Sequence, residues 1–145
     1  PRWNRCDIKS VSLLPNILSL QQALESGFNE CVFVRKGFIT ECSHSNIFLA
    51  NENVLYTHPE SGHILSGVTR KNVLRLARKT GIEVREIPFP ANRLNEISEA
   101  FVTGTSFEIT PVTAFDNIIV NKGIPGPLTG LLRSKFREEL ELMNV

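Results

Sequence analysis

Residues 31–57 most restrict what this chain can fold into, because four short apolar runs follow one another there with no room for a helix between them. Residues 31–35 (Cys-Val-Phe-Val-Arg) and 38–40 (Phe-Ile-Thr) flank Lys36-Gly37 and read as a hairpin whose second strand delivers Glu41. Residues 46–50 and 54–57 follow as two further strands around the polar turn Asn51-Glu52-Asn53. Connections this short join antiparallel neighbours, so this part of the chain reads as a β-meander.

On either side of the meander the apolar period changes. Over residues 15–26, Ile17, Leu18, Leu20, Ala23 and Leu24 recur at helical spacing, with Pro15 suited to a first turn and Gly27 to a left-handed stop. Over residues 68–80, Val73, Leu76, Ala77 and Thr80 share one face of a second helix ended by Gly81, while Arg70, Lys71, Arg75, Arg78 and Lys79 lie largely elsewhere and read as a solvated basic surface. A strand over 82–87, a short helix around 93–97, strands near 100–103 and 109–114, and a last amphipathic helix from Pro127 to about residue 142 complete the chain. Strands and helices mix without regular βαβ alternation. The expectation is a mixed α/β (α+β) fold in one domain, residues 1–145, with a twisted, barrel-like sheet wrapped by helices.

Composition excludes several classes of function. Sixteen basic against fifteen acidic residues give a formal charge of +1, so no strong field points to nucleic acid or an anionic membrane as partner. The apolar runs fall far short of the roughly 20 residues that span a bilayer. Cys6, Cys31 and Cys42 form an odd set without paired spacing, which argues against a disulfide framework and fits a reducing compartment, the cytoplasm by default. Cys42, His44, His58 and His63 match no common zinc spacing, so no metal is expected, and His58 and His63 read as loop residues. The opening Pro-Arg-Trp-Asn-Arg has neither an initiator Met nor the apolar run of a signal peptide, and the sequence reads as a fragment.

Five stretches bear the chemistry: RCDIKS at 5–10, TECSHSN at 40–46, LYTHP through ILSGVTR at 55–70, FVTGTSFEITPV at 101–112 and GIPGPLTGLLRSKF at 123–136. In this order they resemble the fold-type IV pyridoxal-phosphate enzymes, a family that contains D-amino acid aminotransferases, branched-chain aminotransferases and aminodeoxychorismate lyases. The resemblance covers nearly the whole chain, and its fold is that of the C-terminal domain of the D-amino acid aminotransferase-like enzymes.

The resemblance implies pyridoxal 5′-phosphate as cofactor and Lys9 as the lysine that forms a Schiff base with it. Such an amine must be neutral to attack an aldehyde, and it then serves as general base and acid at the substrate Cα. Glu41 takes the place of the acid that faces the pyridine nitrogen and keeps it protonated. Ser45 and Asn46 match the family's cofactor-proximal segment. His44 stands where the D-amino acid enzymes have serine, and two readings remain open for it: tuning the site, or capping a turn.

Phosphate donors are expected from two turns. Gly67, Val68 and Thr69 open the second helix, where free N–H groups and the positive end of the dipole favour a dianion. Thr103, Gly104 and Thr105 follow a strand, with Gly104 and Thr105 on the phosphate and Thr103 as a neighbour. Ordinary turns with capping threonines remain the alternative for both. Leu65 resembles the apolar residue packed against the cofactor ring. Arg2 and Arg5, alternating with Trp3 along a presumed strand that leads to Lys9, either set a local positive potential or form structural ion pairs.

Within the family, residues 5–16 look most like the D-amino acid aminotransferases. The implied reaction is amino transfer between an amino acid such as D-alanine and a 2-oxo acid, with a branched-chain L-amino acid aminotransferase or an aminodeoxychorismate lyase as alternatives. A homodimer is implied for the full-length protein. Family members also have an N-terminal domain that supplies substrate contacts. Its absence here leads to the expectation that this chain alone is inactive, and a non-catalytic cofactor-binding fragment is the alternative from another class.

Overall fold

The computed structural model describes residues 4–11 and 13–143. Helix α1 spans Leu14–Glu25, and strands β1 (Val32–Arg35), β2 (Phe38–Cys42), β3 (Asn46–Asn51) and β4 (Val54–Thr57) follow. Helix α2 (Val68–Lys79) leads to β5 (Glu83–Glu86), β6 (Phe89–Pro90), a 3-10 turn over Ala91–Glu96, β7 (Glu99–Gly104) and β8 (Glu108–Val112). A small ribbon of β9 (Ala114–Phe115) and β10 (Ile118–Ile119) precedes helix α3 (Pro127–Met143).

Both glycine stops act as the sequence implies. Gly27 and Gly81 adopt φ of 85° and 77°. At each helix end the two following amides turn back, from Gly27 to Leu24 and Phe28 to Ala23 after α1, and from Gly81 to Arg78 and Ile82 to Ala77 after α2. These are Schellman closures, which a residue with a Cβ adopts only under strain.

The meander is divided between two sheets. β1, β2 and β6 form one, and the other has the order β5-β4-β3-β7-β8. β2 leaves its sheet after Cys42, where a tight turn is closed by the Cys42 amide donating to the Ser45 carbonyl at 2.8 Å. The chain then enters β3, which pairs antiparallel with β4 and β7. β4 and β5 pair in parallel through α2, so one βαβ unit is present where no regular alternation was expected. The mixed architecture is as anticipated, and the expected short helix near 93–97 is the 3-10 turn.

β3 shows why the core has two sides. Phe48 and Ala50 face α2 and α3 beside Leu55, Val73, Leu76, Phe101 and Leu132. Ile47 and Leu49 face the opposite way, onto Ile39, Cys42, Phe89, Ala100 and Val102. Strand side chains alternate between faces, so burying both faces demands this continuous apolar run. Phe48 lies opposite Phe101 in register and stacks on it with centroids 4.9 Å apart.

Two side chains depart from the expected wheel of α2. Arg70 is fully buried rather than solvated, because it shares the inward stripe with Val73, Leu74 and Ala77 at i+3, i+4 and i+7. It donates to the His58 carbonyl and the Glu86 carboxylate, both at 2.8 Å. Thr80, expected on the apolar face, is exposed and donates its hydroxyl to the carbonyls of the last turn.

Candidate active site

Where β2 ends, β3 begins and β7 ends, the chain leaves a cleft of about 480 Å³. Asn46 and Thr103 sit opposite each other in the β3–β7 register at its floor. Lys9 and Ser10 approach from the N-terminal segment, Leu13 and Asn16 from the start of α1, and Leu65 to Thr69 from the loop and first turn of α2. Glu41, His44, Ser45, Gly104 and Thr105 complete the wall. The residues singled out from sequence at positions 9, 41, 44–46, 65, 67–69 and 103–105 therefore meet in one space. Arg2 lies outside the described residues.

The presumed strand leading to Lys9 is absent from residues 4–11, which run as turns and bends. The Ile8 amide donates to the Arg5 carbonyl and the Cys6 amide to the Gly62 carbonyl, so local and loop partners replace a ladder. Arg5 pairs with Asp7 at 2.9 Å, which fits the structural ion-pair reading. The Lys9 side chain is exposed on the cleft wall.

Glu41 is 3% exposed, and its Oε2 accepts the Leu65 amide at 2.7 Å. Asn46 Nδ2 donates to the Leu65 carbonyl at 2.7 Å. Leu65 is thus held at both its amide and its carbonyl. A Cβ on Gly67 would stand 2.4 Å from Asn46 Oδ1, so glycine is required for the loop to approach β3 this closely. After Gly67 the first turn of α2 has no side-chain cap, which leaves its leading amides for a ligand or water.

A second carboxylate, which spacing did not reveal, supports the β2–β3 turn. Glu30 accepts the Cys31 amide at 2.8 Å, the Ser43 amide at 3.2 Å, the Ser45 hydroxyl at 2.9 Å and the Ser43 hydroxyl in a short contact. His44 Nδ1 lies 3.0 Å from Glu30 Oε2. Asn16, the buried residue of α1, donates to the Ser43 carbonyl at 2.6 Å. Burial, reinforced by Glu30, pushes the Cys42 thiol well up, so it remains a thiol and a packing residue. His58 stays in the supporting loop, where burial lowers its pKa and keeps it neutral.

Comparison with known proteins gives this geometry a family. The profile described as amino-transferase class IV matches residues 1–115. The chain belongs to that family. A curated D-alanine aminotransferase from Bacillus licheniformis is 42% identical over 139 residues, covering 96% of this chain and 49% of that protein. The holo, PLP-form crystal structure of a branched-chain amino acid aminotransferase from Thermobaculum terrenum superposes with a TM-score of 0.87 at 31% identity, over 92% of this chain and 45% of that one. A putative 4-amino-4-deoxychorismate lyase from Legionella pneumophila gives 0.87 at 27% identity, over 95% and 53%. This class IV chain thus spans about half the length of the curated relatives it matches.

The class IV cleft contains the donor set that pyridoxal phosphate requires: an amine at Lys9, a buried carboxylate at Glu41 and uncapped amides at the start of α2. Thr103 Oγ1 is buried without a hydrogen-bond partner among the described residues. A buried hydroxyl in that state is the mark of a missing acceptor, and a phosphate oxygen would satisfy it. The residues fit the group. Among the described residues no cluster of three or more His, Cys, Asp or Glu is placed to hold a metal, and no helix is long and apolar enough to cross a membrane.

Proposed function

We propose that the protein moves an amino group between an amino acid, with D-alanine as the preferred type, and a 2-oxo acid, using pyridoxal phosphate. The observation that supports this most is the convergence of Lys9, buried Glu41 and the start of α2 on one cleft. Lys9 would hold the cofactor by its aldehyde carbon, and Glu41 would hold a proton at the ring nitrogen. Amides of Val68 and Thr69 with Gly104 and Thr105 would take the phosphate, and Leu65 would pack on the ring. When bound, the cofactor supplies an electron sink for the pair left at the substrate Cα. The Lys9 amine takes the proton from that carbon and returns one later.

The preference for D-alanine rests on the curated relatives, which are D-alanine aminotransferases. A homodimer in a reducing compartment such as the cytoplasm completes the reading, the latter fitting three free thiols. The family's N-terminal domain would supply the substrate contacts in the full-length protein. Borohydride reduction in the presence of pyridoxal phosphate, followed by peptide mapping, should label Lys9. A folded protein labelled elsewhere or nowhere overturns the assignment. Assaying the full-length protein on D-alanine, L-leucine and L-glutamate with 2-oxoglutarate, following the oxo acid formed, and on an aminodeoxychorismate, following pyruvate, then decides the substrate. Preference for L-leucine would replace the D-alanine reading, and pyruvate release from an aminodeoxychorismate would replace transfer by lysis.

A further inference from the structure

The turn between β2 and β3 gathers a carboxylate and two hydroxyls around one imidazole. Glu30 takes the Ser43 and Ser45 hydroxyl protons as well as two amides, and a carboxylate in that role only accepts. His44 Nδ1 lies 3.0 Å from Glu30 Oε2, and a hydrogen on Nδ1 is what makes that contact attractive. The Ser43 oxygen, also 3.0 Å from Nδ1, has already given its proton to Glu30 and is a second acceptor. The ring packs edge-on to Phe107. Its side chain is 50% exposed while Glu30 is only 16% exposed, and His44 lines the same cleft as Lys9. With the hydrogen on Nδ1, Nε2 is the nitrogen that keeps a lone pair.

We propose that His44 is a further catalytic residue: Glu30 holds it as the Nδ1–H tautomer, and Nε2 takes the proton that an incoming amino acid's ammonium group must shed. This rests on the aminotransferase reading. An amine attacks carbon only as the free base, and an amino acid arrives as the ammonium ion near neutral pH. One N–H bond of the ammonium breaks, its electron pair stays on the amine nitrogen, and an Nε2–H bond forms. The imidazolium charge is offset by Glu30 across Nδ1–H, and the proton leaves to water from the exposed edge of the ring.

Two measurements test this. Long-range ¹⁵N–¹³C NMR of the chain as it stands, without cofactor, should show the neutral form of His44 carrying its hydrogen on Nδ1, and Glu30→Gln should shift that form toward Nε2–H. A wild-type Nε2–H tautomer overturns the proposal. In the pyridoxal-phosphate-loaded full-length protein, the reaction on rapid mixing with the amino donor should be slowed about 100-fold by His44→Ala, the lower end of what a positioned base contributes, and added imidazole should restore the rate. An unchanged rate, or a slowed rate that imidazole does not restore, overturns it. Borohydride labelling of Lys9 in His44→Ala separates the readings: a labelled Lys9 with an unchanged rate removes His44 alone, whereas an unlabelled Lys9 in wild type removes the aminotransferase reading and leaves the tautomer to be judged by NMR.

Discussion

Thr103 shows how a single atom can report on a ligand. Its hydroxyl is buried with no partner among the described residues, a condition that costs about 1–3 kcal/mol in desolvation. Thr103→Val keeps the shape and removes the stranded group. The unloaded protein is expected to be as stable as wild type or more so, while pyridoxal phosphate should raise the melting temperature of wild type by more than it raises that of the variant. Scanning fluorimetry with and without the cofactor measures both, and equal shifts would remove Thr103 from the phosphate site. At this scale the sequence revealed unevenly. That Lys9, Glu41 and the two glycine turns meet in one cleft was legible because their residue types stand in ordered motifs. Glu30 was not, because its partners Ser43 and Ser45 lie 13 and 15 residues on and no local pattern links them. Asn16 left a readable trace, a polar residue in line with Leu20 and Ala23 at i+4 and i+7.

Among the elements, α3 is anchored by a carboxylate from another strand. Glu99 at the start of β7 accepts the Leu128 and Thr129 amides at 3.0 and 2.8 Å and the Thr129 hydroxyl at 2.8 Å, satisfying the orphan donors of the first turn and its dipole. Gly126 makes room, since a Cβ there would stand 2.0 Å from the Glu99 carboxyl carbon. This gives the GIPGPLTGLL stretch a structural purpose. Gly126→Ala should lower stability by about 1–3 kcal/mol, read as a lower urea midpoint at unchanged slope, and no change would show that Glu99 can move without loss. A second element-level prediction concerns acid. Burial opposes ionisation of Glu86, yet hydrogen bonds from Arg70 and Arg78 hold its carboxyl below the ordinary value of 4.5. A carboxyl depressed in the fold gives stability that is present above the unfolded value and lost as pH falls through the folded one. Glu86→Gln should therefore be less stable than wild type at pH 7, with the gap narrowing below about pH 4.5. A gap independent of pH would assign the loss to packing alone. Helix ends were legible because glycine stops are local; the division into two sheets was not, because pairing joins β3 to β7 across 49 to 57 residues.

For the molecule as a whole, α1 sets the clearest problem. Its inward side is formed by Pro15, Asn16, Ser19, Leu20 and Ala23, while Leu14, Ile17, Leu18 and Leu24 are 50–60% exposed along the other side. The apolar spacing that predicted the helix was therefore right about its period and silent about which side the chain itself covers. An apolar stripe left exposed along a helix marks a surface that a partner covers, which supports the proposed homodimer with α1 at its interface. Leu13 and Asn16 at the start of α1 also line the cleft, so whatever covers the outer stripe abuts the site. Association and cofactor retention should then rise together. Replacing Ile17 and Leu18 by glutamine keeps good helix formers and should change unfolding free energy by no more than about 0.5 kcal/mol per site, while sedimentation shifts from dimer to monomer and cofactor is lost faster on dilution. A wild-type protein that sediments as a monomer across the micromolar range would sink the dimer proposal. A dimer that survives both substitutions would move its interface away from α1 and uncouple it from the cleft.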